Sequence, residues 1–329
     1  MVDACIAMEH SLIHNADEAV GRFLDEWFDD SPYITAMTSG STGVPKPIRL
    51  SKDDMLRSAR ATLQYLGIKD GSTFVMPLSA GYIAGKMMVV RALESSSRLY
   101  VEKPTNRPLA SASHHGDVIG LVPIVPSQIE GLLSSPAIGR IENVIVGGAP
   151  MSVVQERMLI DSGVRAFATY GMTETCSHVA MRPVGDEEFE AMPGVEFTVD
   201  GDGCLVIHAY GFSYGELHTN DVVSLADSRH FRWLGRHDNV INSGGIKIHP
   251  EEVERRIMKQ MGDVTFYITS RESGKWGCEA VLVVDREIDS EVVMAEIERI
   301  LPRTHIPKDI IVDSSPVYTS SGKLKRKKF

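Results

Sequence analysis

The chain of 329 residues is too long for one comfortable hydrophobic core, and its length predicts two folding units. Its 43% hydrophobic and 24% charged residues are ordinary for a globular protein. A formal charge of −10 and a pI near 5.6 exclude a general nucleic-acid binder, whose phosphate contacts need a basic face.

Cys5, Cys176, Cys204 and Cys278 form no Cys-x-x-Cys pair, so neither a zinc site nor a disulfide framework is indicated. The first residues, Met-Val-Asp-Ala-Cys, lack a basic stretch followed by an apolar core, and no apolar run approaches the ~18 residues of a membrane span. Reduced thiols and a cytoplasmic location are the expectation.

In chain order, residues 15–28 place Val20, Phe23, Leu24, Trp27 and Phe28 at helical spacing, which predicts an amphipathic helix. The β-prone run Tyr33–Met37 then breaks into Thr38, Ser39, Gly40, Ser41, Thr42, Gly43, Val44, Pro45 and Lys46. Small hydroxyl residues and glycines offer backbone N–H groups and short donors to one anion. Glycine also lets the backbone approach phosphate oxygens, and Lys46 adds a compact charge. The composition predicts a phosphate-binding loop with a strand in front and a helix behind; the alternative is a flexible connector. It is not the loop of P-loop NTPases, which needs Gly-x4-Gly-Lys-Ser/Thr, because Pro45 precedes the lysine. Ser51 caps a helix with the stripe Met55, Leu56, Ala59, Leu63 and Leu66, and Gly67 stops it.

β-prone runs at Thr73–Leu78, Ser97–Val101, Val118–Val125 and Val144–Val146 alternate with helices near Ile83–Leu93, from Pro126 and from about Ser152. This alternation predicts βα units and a mostly parallel, buried sheet. From about residue 192, Val195–Val199, Cys204–His208, Gly215–His218, Val222–Leu225 and Phe231–Leu234 read as short antiparallel strands. The polar triplet Arg236–Asp238 marks a boundary. Beyond it come a helix from Pro250, strands at Val264–Thr269 and Ala280–Val284, a helix over Ser290–Leu301 and a last strand at Ile310–Val312. The expected class is α/β. Residues 1–235 form a large domain whose mostly parallel sheet is flanked by helices, with a small antiparallel β region, and residues 236–329 form a smaller α+β domain.

Four further stretches join the loop in a recognisable order. They are Tyr170-Gly-Met-Thr-Glu-Thr175, Gly215-Glu-Leu-His-Thr-Asn-Asp221, the run Gly235–Glu254 and Ser321-Gly-Lys-Leu-Lys-Arg326. Taken together over residues 33–329, they resemble the adenylate-forming superfamily of acyl- and aryl-CoA ligases, peptide-synthetase adenylation domains and luciferases. Within it, Asn239–Ile248, Val125-Pro-Ser-Gln128 and Thr173-Glu-Thr-Cys-Ser177 look most like the o-succinylbenzoate–CoA ligases of menaquinone biosynthesis. One departure is that superfamily members carry a much longer segment before the loop that here starts at Thr38. The comparison therefore implies a first subdomain that is missing or much reduced, and an acid pocket that is more open or walled by a partner subunit of a homo-oligomer.

The resemblance implies an ATP-dependent acid–CoA ligase that forms an acyl-adenylate and then a CoA thioester. ATP, Mg²⁺ and coenzyme A would be its cofactor and co-substrates, a small carboxylic acid its partner molecule, with no nucleic acid and no membrane span. It places Thr38–Lys46 on the β- and γ-phosphates, Gly147, Gly148, Ala149 and Pro150 against adenine, and Tyr170 with Gly171 at the base. Thr173 would donate to the α-phosphate, Glu174 hold Mg²⁺, Asp221 accept from the ribose hydroxyls and Arg236 support the ribose. Lys323 would act in adenylation, with Asp238 as the hinge of a mobile C-terminal domain and Ser243, Gly244 and Gly245 letting pantetheine pass. Lys86, Ser177 and His178 are candidates for the acid pocket, Lys86 because it interrupts an apolar helical stretch. Read singly, each residue has a plainer role: a turn at Gly147–Pro150, a core Tyr170, a solvated Glu174, a turn-forming Asp221, a snorkelling Lys86. The alternatives are another aryl- or acyl-CoA ligase, an enzyme loading a carrier protein, or a nucleotide-binding sensor without turnover.

Overall fold

A computed structural model describes residues 12–37, 46–109, 116–262, 264–315 and 326–329. The chain divides into two compact units, Met1–Glu196 with His208–Leu217, and Phe197–Ile207 with His218–Phe329.

In the first unit, β1 (Ile13–His14) precedes helix α1 (Glu18–Phe28), which is capped by Asp17 and buries Val20, Phe23 and Leu24. β2 (Tyr33–Met37) and β3 (Pro47–Ser51) pair antiparallel, from Tyr33 opposite Ser51 to Met37 opposite Pro47. The Thr38–Lys46 stretch therefore joins two strands, not a strand and a helix as expected. Proline at the edge and an exposed Arg49 hide β3 from a hydrophobic pattern. Helix α2 (Lys52–Leu66) follows directly, capped by Ser51 and ended by Gly67 at φ +69°.

β4 (Thr73–Met76), α3 (Ile83–Glu94) and β5 (Arg98–Val101) form a βαβ unit, with β5 parallel to both β1 and β4. Helix α3 is buried from Gly85 through Ala92. A Cβ on Gly85 would meet the Ser79 carbonyl oxygen at 2.3 Å, so glycine is what lets the helix sit against that loop. β6 (Val122–Ile124), α4 (Ile129–Leu133), β7 (Val144–Val146), α5 (Val153–Ser162) and β8 (Ala166–Gly171) continue the alternation, and β6, β7 and β8 are parallel. β4, β6 and β7 are buried on both faces, which explains their unbroken apolar sequence. β9 (His178–Pro183) then pairs antiparallel with β8, and β10 (Phe189–Ala191) antiparallel with β9.

The division between units runs through β11 (Val195–Val199), β12 (Cys204–Ala209) and β13 (Glu216–Leu225). β13 is one strand where the sequence suggested two, and it pairs with β14 (His230–Arg236) in the second unit. The second unit thus starts before residue 236. The reason lies in the packing of α6 (Pro250–Met261) on β14, where the Glu251 carboxylate fills the space left by Gly235. β15 (Ile241–Ser243) and β16 (Ile246–Ile248) form a tight hairpin. β17 (Phe266–Ser273), β18 (Gly277–Val284), α7 (Ser290–Ile300) and β19 (Ile310–Val312) complete an α+β module in the order β16-β15-β18-β17, with β19 beside β18. Its core gathers Ile241, Ile248, Val253, Ile257, Ile268, Leu282 and Ile297. Among the described residues, no helix is long and apolar enough to cross a membrane.

Candidate active site

In the first unit, the candidate site lies at the carboxyl ends of β7 and β8, which emerge at the same edge because the strands are parallel. β7 passes into Gly147 and Gly148. A Cβ on Gly147 would meet Thr169 Oγ1 at 2.6 Å, and Gly148 has φ +83°, so both positions need glycine. Gly148 and Pro150 are exposed and Ala149 is half-buried, which leaves a small-residue ledge. β8 delivers Tyr170, half-buried and tilted against Phe189 with ring centroids 5.9 Å apart. Gly171 follows because β9 crowds it: a Cβ there would meet the Ser177 carbonyl at 2.4 Å.

The Thr173–Thr175 turn is held by Thr175, whose hydroxyl accepts from Met172 N–H (3.0 Å) and lies 2.6 Å from the Ser177 carbonyl. Cys176 sits at φ +62° in this turn, and burial pushes its thiol up to about 12, so it is an inert packing group. Thr173 is buried and Glu174 is exposed. No cluster of three or more His, Cys, Asp or Glu side chains occurs among the described residues, so a metal cage made by protein alone is absent from them. A lone exposed carboxylate fits a hydrated Mg²⁺ that takes its other ligands from phosphate and water.

Behind this turn lies a polar cluster that the sequence only half revealed. The Arg91 guanidinium is buried on α3 and its Nη2 donates to Ser177 Oγ at 2.6 Å. Its Nε has no hydrogen-bond partner, and no carboxylate of the described residues pairs with it. Burial pushes Arg91 down to about 9, so it is a cation at neutral pH. His178 Nδ1 lies 3.3 Å from Ser177 Oγ and its Nε2 3.0 Å from Thr62 Oγ1, which in turn reaches the Ser58 carbonyl at 3.0 Å. One proton arrangement satisfies every contact: Arg91 donates to Ser177, Ser177 to His178 Nδ1, His178 Nε2 to Thr62, and Thr62 to Ser58. In that arrangement the imidazole is neutral. Burial and then the Arg91 charge hold its pKa well below the usual histidine value, in agreement.

Ser177 and His178 are thus brought together, whereas Lys86 is engaged elsewhere. Its Nζ donates to Glu26 Oε2 (2.9 Å) and to the Thr35 carbonyl (3.1 Å), and it lies over the Phe23 ring. A 230 Å³ cavity beside it is lined by Phe23, Glu26, Thr35, Met37 and Gly81 among others. Arg91 is the member of this cluster that sequence reasoning missed. The only signal was a second basic residue in the same apolar helix.

In the second unit, β13 and β14 set Asp221 directly opposite Arg236. Arg236 Nη1 is 3.9 Å from Asp221 Oδ1, and its Nη2 donates to Asp238 at 3.2 Å. Asn220 Nδ2 donates to both Asp238 oxygens, at 2.9 and 3.0 Å. Ser243, Gly244 and Gly245 turn the β15–β16 hairpin, with positive φ at both glycines and the exposed Trp276 indole against Gly244. Lys46 is exposed just before β3. Thr38, Ser39, Gly40, Ser41, Thr42, Gly43 and Lys323 lie outside the described residues.

Glycine turns at the carboxyl ends of parallel strands are the usual seat of a nucleotide in open α/β sheets. The chain belongs to the AMP-binding enzyme family, which residues 11–210 match. It is 32% identical to an acyl-CoA synthetase (AMP-forming)/AMP-acid ligase II-like protein from Dyadobacter fermentans, covering 94% of this chain and 91% of that one with a TM-score of 0.63. It is 23% identical over 347 residues to a 2-succinylbenzoate–CoA ligase from Listeria monocytogenes, covering 98% of this chain and 74% of the relative. The o-succinylbenzoate coenzyme A synthetase of Bacillus subtilis, solved in complex with its acyl-adenylate intermediate, has the same fold. Its TM-score is 0.74 at 21% identity, over 88% of this chain and 67% of that one.

Proposed function

We propose that this protein is an AMP-forming acid–CoA ligase that converts o-succinylbenzoate to its CoA thioester, a step of menaquinone synthesis. Hydroxide is too poor a leaving group for a thiol to displace, so the acid must first be activated. One carboxylate oxygen attacks the α-phosphorus of ATP and pyrophosphate leaves. The CoA thiolate then attacks the acyl carbon and AMP leaves. Neither step needs a covalent protein nucleophile, so positioning and charge neutralisation carry the catalysis.

In this reading Gly147–Pro150, Tyr170 and Gly171 seat adenine, Thr173 donates to the α-phosphate, and Asp221 with Arg236 takes the ribose. Glu174 would hold Mg²⁺, which neutralises phosphate charge when bound. Thr38–Lys46 would cover the outer phosphates and Lys323 would act in adenylation. Asp238 would be the hinge of residues 236–329, and Ser243–Gly245 would pass the pantetheine arm.

The observation that carries the substrate reading is the buried Arg91 cation, which pairs with no carboxylate among the described residues, beside Ser177 and a neutral His178. A buried cation is costly unless an anion completes it. o-Succinylbenzoate carries two carboxylates, and the one not activated would supply that anion. Lys86 is already matched by Glu26, so Arg91 with Ser177 and His178 is the better partner.

The test is to incubate the protein with ATP, Mg²⁺, CoA and a panel of acids, and to read thioester and AMP by mass spectrometry. Thioester from o-succinylbenzoate is the expected result. Thioester only from monocarboxylic acids would overturn the substrate reading, and AMP without thioester would point to a carrier-protein acceptor.

A further inference from the structure

The register between β13 and β14 slips by one residue at a consequential place. Asp221 opposes Arg236 and Val222 opposes Gly235, but Val223 opposes Trp233, so Leu234 is skipped. Directly opposed residues share a face of the sheet, and faces alternate along a strand. Without the slip, Leu234 would join Arg236 on the Asp221 face and Trp233 would point to the other side. The bulge turns Trp233 onto the Asp221 face instead, and Gly235, with φ +154°, supplies the conformation.

The indole reaches its target. Trp233 Nε1 donates to Asp221 Oδ1 at 3.0 Å, whereas Arg236 is 3.9 Å from the same oxygen and donates to Asp238. An aspartate carboxylate rotates easily about its last torsion, so its plane needs a partner to hold it. An indole N–H is a rigid donor with no acceptor function, and it occupies a single lone-pair site of the carboxylate.

We infer that Trp233 is a positioning residue for nucleotide recognition: the bulge at Leu234 delivers its indole N–H to Asp221 and sets that carboxylate for the two ribose hydroxyls. The inference rests on reading Asp221 as the ribose-binding carboxylate. Trp233 acts through Asp221 and touches no reacting atom.

The experiment compares ATP with 2′,3′-dideoxyATP by isothermal titration calorimetry, without acid, in the wild type and in Trp233→Phe. Phenylalanine keeps a ring in the half-buried position and removes only the donor. The ATP dissociation constant is expected to rise about 5-fold, the scale of one hydrogen bond, and that of dideoxyATP to stay unchanged. Equal weakening of both nucleotides would mean a structural role and would overturn the inference, as would no change for ATP. In an Asp221→Ala background Trp233→Phe is expected to add nothing, and an undiminished effect there also overturns it. A second readout uses the unmutated protein with ¹⁵N-labelled tryptophan. The Trp233 indole N–H resonance is expected to shift with ATP and not with dideoxyATP, and identical shifts would count against the inference. If the wild type holds ATP and dideoxyATP equally, the fault lies deeper, in the ribose role of Asp221.

Discussion

Gly235 leaves its side-chain space to Glu251: a Cβ built on Gly235 would meet Glu251 Oε2 at 2.3 Å. The glutamate has little room to yield, because its Oε1 accepts from Asn239 Nδ2 at 2.5 Å. Gly235→Ala therefore combines a close contact with a backbone conformation that L-residues avoid, and is expected to cost about 2–4 kcal/mol. Urea denaturation would measure it. Gly201→Ala, with no heavy atom within 4 Å of the new Cβ, is the control and is expected to change stability by no more than about 0.5 kcal/mol. Similar values for the two variants would contradict this account of the β14–α6 packing.

Arg91 supports a prediction in which stability and function part ways. Replacing a buried cation that meets no anion among the described residues with an apolar side chain of similar length removes a desolvation cost. Arg91→Met is expected to leave stability unchanged or to raise it by about 1 kcal/mol. The KM for the acid is expected to rise at least 10-fold, the scale of a lost charge-assisted contact, with the KM for ATP little changed. Lys86→Met, which strands the Glu26 carboxylate, is expected to act on stability and not on the acid KM. The reverse pattern would move the acid pocket to Lys86.

His178 gives a pH signature. Its folded pKa is depressed by burial and by Arg91, while the unfolded imidazole titrates near 6.5. Below that value the unfolded chain binds a proton that the folded chain refuses. The stability linked to this group is present above about pH 6.5 and is lost as pH falls, with a slope of up to ~1.4 kcal/mol per pH unit. Thermal unfolding between pH 7.5 and 5.5 should show the loss, and His178→Gln should flatten it. An equally steep loss in the variant would assign the effect to other groups.

Residues 326–329 are held by a half-buried ion pair. Arg326 Nη2 donates to both Glu254 oxygens, at 2.8 and 2.6 Å, and Ile268 N–H donates to the same carboxylate. Burial pushes Glu254 up to about 7 against the pull of Arg326. Arg326→Met strands the carboxyl and raises its pKa further. The variant is expected to lose about 3–5 kcal/mol at pH 8 and less at pH 5, where the carboxyl takes up a proton. The sign follows from the raised folded pKa, whose stabilising contribution is present below about pH 4.5 and is lost as pH rises. A penalty independent of pH would show that Glu254 is not the group left behind.

What the sequence determined by itself is local or repetitive. Apolar runs placed β4, β6 and β7, whose burial on both faces leaves no polar alternation to misread. Ser51 and Gly67 bounded α2, because a cap and a left-handed glycine act within one turn. The resemblance pointed to the glycines at 147, 148 and 171. Each is now explained by a crowded neighbour or a positive φ. What only the tertiary structure decided depends on residues far apart in the chain. Lys86 and Arg91 look alike in sequence, both cations in one apolar helix. Glu26, 60 residues away, neutralises the first, while Ser177, 86 residues away, offers the second a hydroxyl and no charge. Asp54 stands in the first turn of α2, yet its carboxylate accepts from the N–H of Ser213, 159 residues on. A one-residue bulge chose the face of Trp233. Periodicity reports which side of an element is apolar. Which polar group meets which is settled by desolvation and hydrogen-bond geometry, and both exist only after the chain has closed.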